Sequence, residues 1–404
     1  GEEEGQVMNS KGGSKDTKQA VKIATMFTCG RFLAHGLLRA PMLMSVVLLT
    51  AVAARADESA APDPAKAGPY PVGVTTMQFT DHDRIDTLTK KPRSLLTEIW
   101  YPATDDSKDL PKNRFLDFFL RGTDAALPIL MQVAFNFDVK QLEETFHNFA
   151  VRDARIRDGS FPLVLFSHGN GGLRFQNAFL CEHLASHGYI VAAPDHTGNA
   201  AVTYVDGQMV AFNEADREQA AKDRPVDIRF LIDTFQRLSS GADSRFLARI
   251  DMNRVAVCGH SFGGYTSTWL ADTEPRVRAI IPMAGVAKER TNFTCPAMIM
   301  LATEDKTMKL EGNDRIRKYY DDSKGPRYFV EFKNAKEGIG TCKRIAAGEP
   351  VTYTPMDVMF PLINGYATAF LGKYLKGLDS YDAYLKENRN PAELIVKAEP
   401  TPAP

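Results

Sequence analysis

Apolar, β-rich runs alternate with helical segments through most of this 404-residue chain, and this alternation constrains the fold more than any other feature. Apolar strands separated by helices predict an α/β fold, a mostly parallel eight-stranded sheet with helices on both faces. Such a sheet binds ligands beyond the carboxyl ends of its strands. The predicted strands are Gly73–Phe79, Leu95–Trp100, Leu163–Ser167, Ile190–Pro194, Arg254–Gly259, Ala279–Met283, Ala297–Ala302 and Tyr328–Phe332. The predicted helices are Phe175–His187, Val226–Leu238, Phe262–Asp272, Asp314–Tyr320 and Met356–Lys376.

A short apolar run near the amino end has the parts of a secretory signal peptide. The run MLMSVVLLTAVAA (Met42–Ala54) follows a segment that carries Arg31 and Arg39, and it leads into a small-x-small exit that ends at Ala56. The run is too short to span a bilayer comfortably. We therefore predict cleavage after Ala56 and a secreted or periplasmic protein with no stable membrane span. The alternative is an N-terminal membrane anchor.

The rest of the chain divides into a leader, one domain and a tail. Residues 1–56 form the predicted signal peptide and N-terminal extension, and residues 57–71 are a Pro/Ala-rich leader that we expect to be flexible. Residues 72–398 form the predicted catalytic domain, and residues 399–404 (EPTPAP) form a tail.

An apolar insertion interrupts the alternation at residues 105–160. It contains FLDFFL (Phe115–Leu120) and LPILMQVAFNF (Leu127–Phe137), and it is too long and too apolar for a plain loop. One interpretation is a pair of helices packed on the core. The other is a helical cap whose Phe and Leu side chains form a hydrophobic acyl pocket over the site.

Charge and cysteine content narrow the class of protein. The 49 Lys and Arg residues balance 50 Asp and Glu residues, so we expect no binding to nucleic acid. An exported protein tolerates disulfides, and Cys295 and Cys342 are the plausible pair. Cys258 lies inside an apolar strand, where we expect a buried free thiol.

A nucleophile motif joins one predicted strand to the next helix. The segment RVAVCGHSFGG (Arg254–Gly264) carries G-x-S-x-G at Gly259–Gly263, between an apolar strand and a helical pattern. In that setting the turn is sharp enough to hold the serine at a strained backbone conformation, with its hydroxyl above the sheet edge at a helix N-terminus. We predict that Ser261 is a nucleophile, the alternative being a purely structural turn.

Two further turns supply the other parts of such a site. The strand PLVLFSHGNGG (Pro162–Gly172) ends in a glycine-rich turn, and the backbone N–H groups of Asn170 and Phe262 are the predicted oxyanion donors. The acid follows a later strand, where PAMIMLATEDKT places Asp305. Its neighbour Glu304 is the competing candidate.

These segments resemble the α/β-hydrolase fold, and more narrowly the platelet-activating-factor acetylhydrolases and dienelactone-hydrolase-like carboxylesterases. The resemblance extends from Pro71 to Leu375 and is dense between Phe161 and Gly264. It rests on PLVLFSHGNGG, on LASHGYIVAAPDH (Leu184–His196) and on RIDMNRVAVCGHSFGG (Arg249–Gly264). It implies a Ser–His–Asp carboxylesterase without metal or organic cofactor. Its expected substrate is a small-molecule ester with a short-to-medium acyl chain, or a polyester or lipid.

The histidine of the triad is missing from its expected place. The resemblance puts it on the loop after the last strand, near Glu337, but no histidine follows His260. A base is needed that accepts a proton near neutral pH, as imidazole does with a pKa of about 6.5.

Several replacements for that histidine remain open. His196 and His168 follow strands at the carboxyl edge, and Glu337 is a weak base at about 4.3 unless burial raises its pKa. Lys336 would serve only if strongly desolvated. The alternative function is a catalytically impaired hydrolase fold that acts as a binding protein.

Overall fold

The protein is described by a computed structural model over residues 61–120, 140, 143–144, 147–287, 289–290, 292–305, 310–335 and 356–401. These residues belong to one compact unit, Asp57–Pro404. The predicted signal peptide and the base candidates Glu337 and Lys336 lie outside the described residues.

The described chain is built on one ten-stranded sheet in the order β12-β11-β10-β9-β8-β4-β5-β2-β1-β3, with β6 and β7 forming a separate hairpin. Neighbours from β11 to β5 are all parallel, whereas β12, β2 and β1 pair antiparallel. The strands are β1 Val72–Ile85, β2 Pro92–Pro102, β3 Val151–Arg152, β4 Phe161–Ser167, β5 Ile190–Pro194, β6 Val202–Val205, β7 Gln208–Ala211, β8 Ile250–His260, β9 Val277–Met283, β10 Ala297–Ala302, β11 Arg327–Phe332 and β12 Leu394–Glu399.

Helices cover both faces of the sheet, as the alternation predicts. Side chains of β4 alternate between two cores, with Val164 and Phe166 in one and Leu163 and Leu165 in the other. The first core includes side chains of α2 and α6, and the second includes side chains of α3, α4 and α5. The α-helices are α1 Phe115–Leu120, α2 Ala178–Ser186, α3 Arg217–Arg237, α4 Phe262–Thr273, α5 Leu310–Asp322, α6 Met356–Lys376 and α7 Asp382–Lys386.

The predicted fold class is confirmed, but the strand count is wrong. All eight predicted strands are present, and β3 and β12 extend the sheet to ten. β12 has only one buried residue, Leu394, because it lies at an edge, so it lacks the apolar run of a central strand. It runs through Glu399, which the prediction assigned to the tail. The helix predicted from Val226 starts at Arg217, because Pro225 lies inside it instead of preceding it.

The described part of the leader is hydrogen-bonded to the domain. The side chains of His183 and His187 bond to the carbonyl oxygens of Pro64 (2.8 Å) and Lys66 (2.8 Å). The Tyr70 N–H donates to the Ser186 carbonyl (3.1 Å). These bonds tie the leader backbone to the end of α2 at three points, and the expected flexibility of residues 57–71 stays a prediction.

The first helix of the apolar insertion, α1, packs in the hydrophobic core. Phe115, Phe118 and Phe119 of α1 are at most 1% exposed and pack in the same core as Trp100 and Phe175. The Phe118 ring stacks on Phe175 with 5.2 Å between centroids. The interpretation as helices packed on the core is correct for α1, and these rings do not form an acyl pocket. Residues 121–139, which include most of the second apolar run, lie outside the described residues.

Cysteine chemistry also departs from the prediction. Cys295 is a free thiol, and burial raises its pKa to about 12. The predicted pair with Cys342 is therefore not formed; Cys342 itself lies outside the described residues. Cys258 is a fully buried thiol, as expected for its strand. Within the described ranges, no helix is long and apolar enough to cross a membrane.

Candidate active site

The candidate nucleophile lies at a strained turn between β8 and α4. Ser261 has φ 52° and ψ −112°, which is unusual for a residue with a side chain. Its N–H donates to the Met283 carbonyl at the end of β9 (2.7 Å), and its carbonyl accepts from the Tyr265 N–H (3.1 Å). Backbone bonds on both sides therefore hold the strained conformation.

Two glycines permit this turn. A Cβ atom on Gly259 would lie 2.2 Å from the Gly263 carbonyl oxygen, and one on Gly263 would lie 1.8 Å from the Ser167 carbonyl oxygen. Neither contact is sterically allowed, so the motif requires glycine at both positions for strand and helix to approach each other.

The turn opens onto a cavity of about 350 Å³. Ser261 lines it together with both predicted oxyanion donors, Asn170 and Phe262. The remaining lining residues are Arg217, Glu218, Ala221, Tyr265, Gly285, Val286 and Arg315. The structure thus brings three predicted site residues together in one space of a size that small-molecule sites commonly have.

The glycine-rich turn after β4 lies directly beside the nucleophile. A Cβ atom placed on Gly169 would be 3.5 Å from the Ser261 Cβ. Phe262 is the first residue of α4, and the N–H of such a residue has no acceptor within its helix. The side chain of Asn170 accepts a hydrogen bond from Asn199 (2.9 Å), which fixes the turn from outside.

A buried arginine on α3 connects the two turns. Arg224 is fully buried, and its guanidinium donates to the carbonyl oxygens of His168 (2.6 Å) and Gly169 (3.0 Å). Its Cζ lies 4.6 Å from the centroid of the Phe262 ring. Because a trans peptide is planar, fixing the Gly169 carbonyl also fixes the direction of the Asn170 N–H. Burial lowers the pKa of Arg224 to about 9.

The two candidate acids differ in burial. Asp305 is 4% exposed, whereas Glu304 is half-buried. Asp305 follows β10 at the same sheet edge as Ser261, and its N–H donates to the Ala302 carbonyl (3.2 Å). The Glu304 N–H donates to the carbonyl of Ala335 (2.8 Å), which lies two residues before Glu337. The acid turn is thereby tied to the start of the loop where the resemblance expects the base.

His196 lies within a buried network below the turns. Its Nε2 is 2.9 Å from the Ser167 hydroxyl, and its Nδ1 is 2.9 Å from Asp227 Oδ2. The ring is fully buried, and burial followed by the charge of Arg224 lowers its pKa to about 4. Both ring nitrogens have partners other than Ser261, which argues against His196 as its base.

Asp227 anchors this network. Burial alone would raise its pKa, but the charge and hydrogen bonds of Arg93, together with the bond to His196, outweigh burial and hold the pKa well below its usual range. Arg93 makes a two-pronged contact with the Asp227 carboxylate (2.7 Å for each oxygen), and Arg84 adds a third bond (2.8 Å). The neutral His196 ring therefore donates to a carboxylate that stays ionised.

The other described histidines serve elsewhere. His168 bonds to the Gly169 carbonyl (2.7 Å) and accepts the N–H of His196 (3.1 Å), so it stabilises the glycine-rich turn. His260 points at Gln176, with 2.9 Å between Nδ1 and Nε2. His183 and His187 hold the leader, while His82 and His147 are exposed. Among the described residues, no histidine lines the cavity.

Three arginines of the site, Arg217, Arg224 and Arg315, were not predicted from the sequence. One signal was present: Arg224 and Asp227 occupy the helix face that also carries Ile228 and Leu231, so charged residues stand at core positions. A charged residue on an apolar face indicates a buried ion network. Arg217 and Arg315 gave no comparable signal. Within the described ranges, no group of three or more His, Cys, Asp or Glu side chains is arranged to hold a metal ion.

Two family models match this chain. A family model described as PET hydrolase-like matches residues 173–393, and one for platelet-activating factor acetylhydrolase, isoform II, matches residues 56–227. The platelet-activating factor acetylhydrolase of Cavia porcellus is 26% identical over 360 residues, which are 77% of this chain and 77% of that protein. Cutinase est2 of Thermobifida alba is 28% identical over 150 residues, or 37% of this chain and 43% of the cutinase.

A solved structure shares the fold. The ferulic acid esterase from Streptomyces cinnamoneus aligns with a TM-score of 0.65 at 22% identity, covering 82% of this chain and 97% of that chain. Fold, elbow and relatives together define an ester hydrolase in the class of α/β-hydrolase serine esterases. Within that class, the chain belongs to the PET hydrolase-like family.

Proposed function

We propose that this chain is an exported serine carboxylesterase that cleaves short-to-medium acyl esters through an acyl-enzyme on Ser261. The observation that carries the proposal is the strained backbone of Ser261, at a helix N-terminus and open to a cavity. Strain of this kind persists only where surrounding structure enforces it, and it concentrates at reactive residues.

In the proposed reaction, the Ser261 hydroxyl oxygen attacks the ester carbonyl carbon and forms a tetrahedral intermediate. The N–H groups of Phe262 and Asn170 stabilise the oxyanion. The intermediate collapses with loss of the alcohol, which takes up the proton that Ser261 gave to the base. Water then cleaves the acyl-enzyme by the same steps and releases the acid. Asp305 is the proposed acid of the triad, which orients the base.

Glu337 is the proposed base. Both ring nitrogens of His196 are engaged elsewhere, and Ala335 lies against the residue next to Asp305. A carboxylate near Asp305 would have a raised pKa, because two like charges resist ionising together. That would make Glu337 a better base than a free carboxyl group.

A covalent probe tests the nucleophile. Incubation with a fluorophosphonate, followed by peptide mapping by mass spectrometry, should place the adduct on Ser261 alone. The Ser167→Ala variant is the matched control, since Ser167 touches a histidine but is fully buried; it should label like wild type. An adduct on another residue, or none, would defeat the proposal.

A gain of activity tests the base. Glu337→His should raise kcat on short-chain 4-nitrophenyl esters by at least tenfold, because imidazole accepts a proton near neutral pH. His196→Gln, whose side-chain amide can still donate to Asp227 but cannot act as a base, provides the comparison. An unchanged rate in folded Glu337→His protein would place the base elsewhere.

A catalytically impaired binding protein is the second candidate, favoured by the absence of a histidine from the cavity lining among the described residues. It predicts no turnover and no fluorophosphonate adduct, together with thermal stabilisation by an acyl ligand.

The similarity to cutinases and to the PET hydrolase-like family supports extending the proposed substrates to polyesters. The apolar run Met42–Ala54 supports export.

A further inference from the structure

Two arginines line the same cavity as Ser261. Arg217 is exposed and opens α3, and its Cζ lies 5.7 Å from the centroid of the Phe262 ring. Arg315 is half-buried on α5. Together the two side chains place positive charge on two helices that border the cavity.

Neither arginine is neutralised by a described carboxylate. Most arginines of the described chain form ion pairs, such as Arg229 with Glu274 and Arg276 with Asp233, but Arg217 and Arg315 form none within those ranges. Among the described residues, the cavity lining contains one carboxylate, Glu218, against the two guanidinium groups. Over these described lining residues, the formal charge is net positive.

The other walls are apolar. Phe262, Tyr265, Val286 and Ala221 form most of the remaining lining. A compact space of this volume is about 9 Å across. An anion bound at the arginines would therefore be separated from the scissile carbonyl by only a few carbon atoms of the substrate. The site therefore combines an apolar slot with a cationic wall.

We infer that the preferred substrates carry a negative charge a few carbon atoms from the scissile ester, as in monoesters of dicarboxylic acids. The carboxylate would pair with Arg217 and Arg315, since guanidinium groups match carboxylates in a two-pronged geometry. The apolar walls would hold the chain between them. This inference rests on the proposed esterase function and specifies its substrate class.

The test compares esters of similar length that carry an anionic, a neutral or a cationic end group. Mono(4-nitrophenyl) adipate, its neutral amide 4-nitrophenyl adipamate and the cationic 4-nitrophenyl 6-aminohexanoate release the same leaving group. We expect wild-type protein to prefer the anion over the neutral amide by about tenfold in kcat/KM, and to disfavour the cation. The preference should shrink at about 1 M salt, where the screening length falls to about 3 Å.

Variants assign the preference to the two arginines. Arg217→Gln and Arg315→Gln should each reduce the ratio of anionic to neutral rates, and the double variant should bring this ratio close to one. Arg278→Gln is the matched control, because Arg278 is exposed near the start of β9, at the opposite sheet edge. It should keep the wild-type ratio. Equal rates in wild type, or an unchanged ratio in the double variant, would overturn the inference.

A binding measurement separates this inference from the esterase proposal. Calorimetry of Ser261→Ala protein with monoethyl adipate and with ethyl adipamate needs no turnover. Tighter binding of the anion by about tenfold supports the cationic wall even if hydrolysis fails, and equal affinities contradict it. Hydrolysis of the neutral ester through Ser261 without charge preference would leave the esterase proposal standing and remove only this inference.

Discussion

At the scale of single residues, the buried guanidinium of Arg224 holds the proposed oxyanion donors in place. It contacts the carbonyl oxygens of His168 and Gly169 and the ring of Phe262, so one side chain touches both turns of the site. A planar fork makes these contacts together, whereas a lysine ammonium is a single point charge. Arg224 is a positioning residue, because it lies behind the peptide groups that face the cavity.

Replacing Arg224 by lysine should impair the chemical step more than substrate binding. We expect Arg224→Lys to lower kcat by about 10- to 100-fold, with KM changed by less than threefold, because misplaced oxyanion donors stabilise the transition state less well. Arg229→Lys is the control on the same helix, where the side chain bonds to Thr273 at the surface. Steady-state kinetics and melting temperatures of both variants check this. A lower melting temperature with unchanged kcat would assign Arg224 a purely structural role.

The turns of the site could be predicted from the sequence, but the Arg224 contacts that hold them in place could not. Ser261, Asn170 and Phe262 line one cavity because local motifs encode sharp turns at strand ends. Arg224 approaches the turn after β4 from a helix more than 50 residues away in sequence, and such a contact depends on how the sheet is wound. The roles of Ser261, Asp305 and Glu337 stay predictions.

At the scale of elements, α1 is part of the core. Phe118 packs against Phe175 and Trp100, and its ring also lies 5.5 Å from the Arg152 Cζ. The apolar sequence of the insertion was compatible with a cap or with core, because hydrophobic character alone does not say which surface covers it. In this fold, the rings of Phe175 and Trp100 cover the apolar side of α1.

Truncating Phe118 should therefore affect stability and leave substrate choice intact. We expect Phe118→Ala to lower the free energy of unfolding by about 3–5 kcal/mol, as for other buried aromatic truncations. The ratio of rates on C2 and C8 4-nitrophenyl esters should not change. Val286→Phe, which fills part of the cavity, should shift that ratio toward short chains. Urea unfolding and the two rates check both variants; a changed ratio in Phe118→Ala would restore the cap interpretation.

At the scale of the whole molecule, buried ionisable groups link stability to pH. His183 on α2 bonds to the Pro64 carbonyl, and burial, followed by the charge of His187, lowers its pKa to about 4. A histidine with a lower pKa in the folded state stabilises the fold fully above its unfolded pKa of about 6.5. That stability is lost as the pH falls from about 6.5 to about 4. The lowered pKa of His183 could not be predicted from the sequence, because it depends on the leader covering α2.

Removing this titration should flatten the acid side of the stability profile. His183→Gln keeps a side-chain N–H for the Pro64 carbonyl but does not ionise. We expect the loss of unfolding free energy between pH 7 and pH 4 to be smaller than in wild type by about 3 kcal/mol at most. Urea unfolding at several pH values measures it. His82→Gln, at an exposed position, is the control, and identical profiles for wild type and His183→Gln would contradict a buried neutral ring.

The central claim, that Ser261 forms an acyl-enzyme, is tested most directly by mixing the protein rapidly with 4-nitrophenyl acetate and following nitrophenolate and intact protein mass together. We predict a burst of nitrophenolate equal to the enzyme concentration and an acetyl adduct on Ser261, both absent from Ser261→Ala. A burst or adduct that persists in Ser261→Ala, or turnover by wild type without any acetylated protein in acid-quenched samples, would contradict it.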